Sequence, residues 1–125
     1  LCARRQRFDS HLVEPGPPPL LTDQGILFIY NSANSGTHGD PRLPVHAYSA
    51  GQVLLDARDP LAVIGRSTAP FFMPERGHEL TGQVGNVTFL EGLVHFRGAW
   101  FLYFGTADST IAVAVCGQPT EMPKH

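Results

Sequence analysis

A chain of 125 residues with 42% hydrophobic content is long enough for one domain with a real core and too short for two. The formal net charge of −2, with 16% charged residues, excludes the basic field that gathers nucleic acid. The longest apolar runs, residues 25–30 and 99–104, fall far short of the ~20 residues a membrane-crossing helix needs, so no membrane partner is expected.

Eleven prolines and thirteen glycines punctuate the sequence and leave little room for a long helix, so the fold class expected is all-β. A single domain over residues 1–125 is expected, with 1–7 and 117–125 as flexible ends. The Arg4, Arg5 and Arg7 cluster is not followed by the apolar stretch of a signal peptide. Glu14 comes next, just before Pro15-Gly16-Pro17-Pro18-Pro19, which reads as a rigid loop holding that carboxylate in one direction. Residues 25–31 form the first strand expected, and the polar, Gly/Pro-rich run 31–44 reads as a mobile surface loop. Strands follow at 47–56 and 62–65, then an extended connection over 67–82. Four more are expected at 84–89, 92–96, 99–105 and 110–116. The dipeptide Arg97-Gly98 fits a tight hairpin, which makes 92–116 a three-stranded antiparallel meander.

The run from Gly25 echoes the run from Gly98, matching Phe28 with Phe101 and Tyr30 with Tyr103. Repeated sheet units of a propeller would produce such an echo, and so would the look-alike hairpins of a β-sandwich.

Several residues are candidates for chemistry. Glu91 interrupts an apolar run between Leu90 and Gly92, where a buried unpaired charge would be costly; it is a site carboxylate or an edge glutamate in water. Glu14 is a second carboxylate, and Asp108, after Gly105-Thr106-Ala107, is either a hydrogen-bond acceptor in a site or a turn residue. The rings of Tyr48, Phe104 and Trp100 can stack on the apolar face of a ligand, although alternation sends most rings of 99–104 into packing. The six histidines and two cysteines lack metal-ligand spacing, so no metal or other cofactor is expected. Cys2 and Cys116 are read as free thiols with Cys116 buried, or as a disulfide closing the chain; they leave the compartment undetermined. Asn86-Val87-Thr88 is a glycosylation sequon inside an expected strand.

The runs 14–31, 48–56, Asp59-Pro60, 64–66, Pro74-Glu75 and 103–108 occur in the order of the motifs of glycoside hydrolase family 130, the β-mannoside hydrolases and phosphorylases. The chain resembles the C-terminal part of that family. The resemblance implies a partial β-propeller, about two blades of a five-bladed type built of antiparallel meanders. It implies a glycosidase-like domain acting on or binding β-linked mannosides, with a mannose-containing oligosaccharide as partner. Phosphorolytic members resemble one another in a His after the Tyr of the 29–30 motif and a basic residue before the Gly-Pro-Pro motif. Here stand Asn31 and Leu12-Val13-Glu14, and residues 89–96 resemble a motif of the β-1,2-mannosidases, so the hydrolytic branch is expected. The resemblance makes Glu91 and Glu14 the catalytic candidates and Asp108, Tyr48, Asn31 and Phe104 the substrate-binding ones. The family's proton donor has no counterpart before Phe8, so the chain alone is expected to be incomplete as an enzyme. The alternative is a non-catalytic carbohydrate-binding or self-associating β-module. Blade faces carrying Val53, Leu55, Val87, Phe89, Val113 and Val115 exceed what so few strands can cover, so a homo-oligomer is expected.

Overall fold

The structure, a computed structural model, describes residues 1–73, 87–107 and 110–118. Among the described residues the regular elements are strands, all paired antiparallel in two sheets. The first sheet contains β1 (Leu12–Pro15), β2 (Leu20–Thr22), β3 (Gly25–Ala33), β4 (Tyr48–Leu55) and β5 (Val63–Arg66). The second contains β6 (Thr88–Phe96), β7 (Ala99–Thr106) and β8 (Thr110–Cys116) in sequential order, which is the expected meander.

Two elements escaped the sequence reading. Both β1 and β2 pair with β3, β1 alongside residues 30–33 and β2 alongside 25–27, so they act as one interrupted edge strand. The interruption is Pro17-Pro18-Pro19, which has no N–H groups to continue a ladder. Glu14, expected on a loop, therefore stands in a strand opposite Asn31. The runs 84–89 and 92–96, expected as separate strands, are corrected in their described part to one strand, β6. A register shift between Leu90 and Gly92 makes Glu91 a bulge residue within it. At the β6–β7 turn, Arg97 (φ 51°) and Gly98 (φ 80°) are both left-handed, as a two-residue hairpin of matching twist requires.

The two sheets pack face to face. Ile29 and Ala50 of the first meet Leu90 and Phe104 of the second, with Leu93, Leu102, Ala112 and Ala114 around them. The other face of the first sheet is covered by its own chain, with Phe8 against Tyr30 and Val53, and Leu43 alongside. Each such buried side chain contributes roughly 1.5–3 kcal/mol. The outer face of the second sheet is bare: Ile111 is 82% exposed, and Val94, Tyr103, Val113 and Val115 are about half exposed. Of the residues expected to need a cover, Val53 and Val87 are buried within this chain.

The sequence echo joins strands of equivalent place, since β3 and β7 are both central in their sheets. Its register, however, matches Ile29 with Leu102, and these two residues meet in the shared core. A rotational repeat would point matched residues the same way round, so the likeness at this register reflects shared strand character.

The run 31–44, expected as a mobile surface loop, is on the surface only in part: Gly36, Thr37, Pro41, Arg42 and Pro44 are exposed, whereas Asn31, Ser32, Asn34, Ser35 and Asp40 are buried. Asn34 organises it, donating to the carbonyls of Asp40, Leu43 and Pro44 while its Oδ1 accepts from the Asp40 N–H. The N-terminal segment is likewise tied down. Buried Asp9 accepts from Arg4, Arg66 and the Tyr30 hydroxyl, and Arg66 also donates to the Cys2 carbonyl. Burial raises the Tyr30 pKa above its ordinary value, with Arg66 opposing, so Tyr30 remains a donor to Asp9. Both cysteines are free, and Cys116, expected to be buried, is exposed.

Removing the shared acceptor of this cluster strands two guanidinium groups, so Asp9→Ala should cost about 3–5 kcal/mol in urea denaturation. Hydrogen bonds from the Arg42 side chain and its backbone N–H hold the Asp40 carboxyl down to about 2, below its ordinary 3.8. The depressed value stabilises the fold above about pH 4, and this contribution is lost as pH falls through about 2. Asp40→Asn should flatten that part of the acid-unfolding profile.

Candidate functional site

The site region lies where the edge strand β1 of the first sheet comes beside the edge strand β6 of the second. Antiparallel register puts Glu14 opposite Asn31 and Tyr48 opposite Ala33, so Glu14, Asn31 and Tyr48 share the face that carries Ile29 toward the second sheet. Asn31 is 0% exposed. Its Oδ1 accepts from the Leu90 N–H at 2.7 Å, and its Nδ2 donates to the Leu90 carbonyl at 2.9 Å and to the Pro15 carbonyl at 3.2 Å. One amide thus ties three strands together, and it does so one residue from each candidate carboxylate.

Asn31, expected to bind substrate, stands in the interior with both donor hydrogens and its acceptor engaged by backbone groups. Phe104, expected to stack on a sugar, packs between the sheets and also borders a recess beside Glu91. It is 5% exposed and meets Phe72 edge-to-face at 4.7 Å between the sheets. Trp100 stands beside His95 at 4.8 Å and lines an apolar groove with Phe72 and Leu102. Tyr48 is half-buried, with its ring 6.5 Å from Phe89, and its carbonyl accepts from Thr88 Oγ1. Asp108, Pro74-Glu75 and Asn86 lie outside the described residues.

Glu91 is exposed and Glu14 half-buried. The bulge frees Glu91 from the strict alternation of its strand, which explains how a carboxylate sits in an apolar run without being buried. Glu91 borders a recess of about 330 Å³ together with Gly92, Tyr103, Phe104, Gly105 and Ile111. Tyr103 did not stand out in the sequence as a site residue; its place opposite Gly92 at the bulge depends on the register shift. Glu14 is carried by β1 and Tyr48 by β4. Their strands do converge on β6, but neither lines this recess. No group of three or more His, Cys, Asp or Glu side chains suited to a metal occurs among the described residues.

With this geometry in hand, the kinship of the chain is clear. A family model described as beta-1,4-mannooligosaccharide phosphorylase matches residues 3–120. A beta-1,2-mannobiose phosphorylase of Thermoanaerobacter sp. (strain X514) is 36% identical over 108 residues, covering 86% of this chain and 33% of that protein. A solved structure of a glycosyl hydrolase from Bacteroides ovatus superposes with a TM-score of 0.89 at 43% identity, over 97% of this chain and 34% of that one. Another superposes with a TM-score of 0.90 at 40% identity, over 98% of this chain and 35% of that one. It is described under the GH130 family of mannoside phosphorylases, as containing glycoside hydrolases that target beta-1,2 mannosidic linkages in Candida mannan. The chain spans about a third of the length of the relatives it matches.

Two expectations are overturned. The likeness is not limited to a C-terminal motif set, since the family match runs through nearly the whole chain. Assignment to the hydrolytic, β-1,2-mannosidase-like branch also fails, because the family model and the curated relatives are named as phosphorylases of β-1,2- and β-1,4-mannosides. The physical reason lies in the residues that argued for hydrolysis. Asn31 is occupied by backbone groups, and Val13 packs against the core of Phe8, Tyr30 and Val53. Residue types at these positions report how the sheets pack and do not register which nucleophile attacks the sugar. By the extent of the family match and the two-sheet architecture shared with its solved members, the chain belongs to glycoside hydrolase family 130.

Proposed function

We propose that this chain forms one wall of the sugar site in a β-mannoside phosphorylase, its two sheets serving as neighbouring blades of a propeller. The observation that carries this reading is the convergence of Glu14 on β1 and Glu91 on β6, each one residue from a backbone group held by the Asn31 amide. In phosphorolysis an oxygen of inorganic phosphate attacks the anomeric carbon, the glycosidic C–O bond breaks, and the leaving oxygen takes up a proton. No side chain has to activate water. The remaining task for a carboxyl group is to hydrogen-bond the sugar and pass that proton. Exposed Glu91 at its recess suits proton transfer, and half-buried Glu14 suits acceptance from a sugar hydroxyl.

The bare outer face of the second sheet fits this architecture, because a blade meets a neighbour on both sides. Covering Val94 and Val115, at the end of this face away from the Glu91 recess, would gain about 25 cal/mol per Å² of apolar surface, so we propose that copies of the chain associate through that end. Light scattering at micromolar concentration should give a mass above 13.6 kDa. Val94→Lys with Val115→Lys should return it to the monomer value; a wild-type monomer would count against the association.

The functional test uses β-1,2-mannobiose. Binding should perturb the amide resonances of Glu91, Tyr103 and Glu14, and release of mannose 1-phosphate should require inorganic phosphate. Glu91→Gln should lower any such turnover by about 10²-fold or more while leaving the thermal midpoint within a degree or two, since the side chain is exposed. Cleavage that proceeds equally well without phosphate, or a titration that leaves these resonances unmoved, would overturn the reading.

A further inference from the structure

The strand that carries Glu91 is an edge strand, and at Leu90 both backbone groups are taken by a side chain of the opposite sheet. The Asn31 amide presents one donor and one acceptor to Leu90, as a neighbouring strand would. Its second N–H reaches Pro15, the residue after Glu14. The backbone around this point is crowded. A methyl group on Gly16 would lie 2.7 Å from the Ile29 carbonyl oxygen and 3.5 Å from that of Leu90, so the close approach of these backbones requires glycine. We propose that Asn31 is a positioning residue that sets the separation and direction of the Glu14 and Glu91 carboxylates by holding Pro15 and Leu90 on one amide.

This rests on the reading of Glu14 and Glu91 as sugar-facing groups. It goes beyond that reading because Asn31 touches no ligand and acts only through the backbone of its neighbours. The chemistry needs an amide at this position. An aspartate keeps the acceptor for the Leu90 N–H and loses both donors, which sets a carboxylate oxygen against the Leu90 and Pro15 carbonyls. An alanine removes all three bonds and leaves the Leu90 groups unpaired in the interior.

The test compares Asn31→Asp with Ile29→Val, which thins the same sheet interface one turn of the pleat away and leaves the amide bonds in place. In the wild type, amide hydrogen exchange at Leu90 should be as slow as in the interior of β7. In Asn31→Asp it should quicken at least tenfold, the Glu14 and Glu91 amide resonances should both move, and the dissociation constant for β-1,2-mannobiose should rise at least tenfold. Ile29→Val should leave these readouts within twofold. Rapid Leu90 exchange in the wild type would overturn the clamp even if Asn31→Asp fails to fold. A folded Asn31→Asp that matches Ile29→Val in sugar affinity would overturn the positioning role. A wild-type chain that binds no mannobiose would remove the functional reading, while the exchange data still decide whether the amide holds the two strands.

Discussion

The pairing of the Asn31 amide with the Leu90 backbone is the constraint on which the relation between the two sheets depends. An edge strand carries a row of outward N–H and C=O groups, and where that edge is covered each group must find a partner. At Leu90, which is fully buried, no strand is available, and a side chain from the centre of the other sheet substitutes for one. The apolar contacts around Ile29, Ala50, Leu90 and Phe104 supply most of the free energy of packing. They are not directional, and they would tolerate sliding. Two short hydrogen bonds to one residue do not.

The rest of the polar interior follows the same logic. Asn34 gathers the carbonyls of a long loop, and Asp9 gathers two guanidinium groups and a phenol. In each case one buried side chain binds segments distant in sequence, and no described buried side-chain polar atom is left without a partner. These clusters lock the outer layer onto the first sheet. Among the described residues the second sheet has no such cover on its far side, and its β-branched residues there meet solvent.

The chemistry of the site grows from the same architecture. Glu14 is carried by a strand whose continuation is cut by prolines, and Glu91 by a strand broken by a bulge. The bulge frees Glu91 from the regular alternation that would otherwise bury or expose it according to parity alone, while Glu14 keeps the regular register of β1. The roles proposed for the two carboxylates, holding a sugar hydroxyl and passing a proton, draw on these edge positions.

Much of the strand order was legible in the sequence, because Pro, Gly, Asn and Asp mark the turns and β-branched and aromatic residues fill the intervals. Arg97-Gly98 announced its hairpin, and the ordered motifs announced the family. The edge strands β1 and β2 were hidden because their pairing is with β3, not with each other, and the prolines between them look like a loop. Asn31, Asn34 and Asp40 read as surface residues because polarity in sequence does not reveal whether a partner waits in the interior. The Glu91 bulge was invisible for a related reason, since a bulge exists only relative to the strand opposite. Local composition by itself determined which segments extend and where they turn. Tertiary structure decided which polar groups are buried, because that choice depends on hydrogen-bond partners up to 59 residues away.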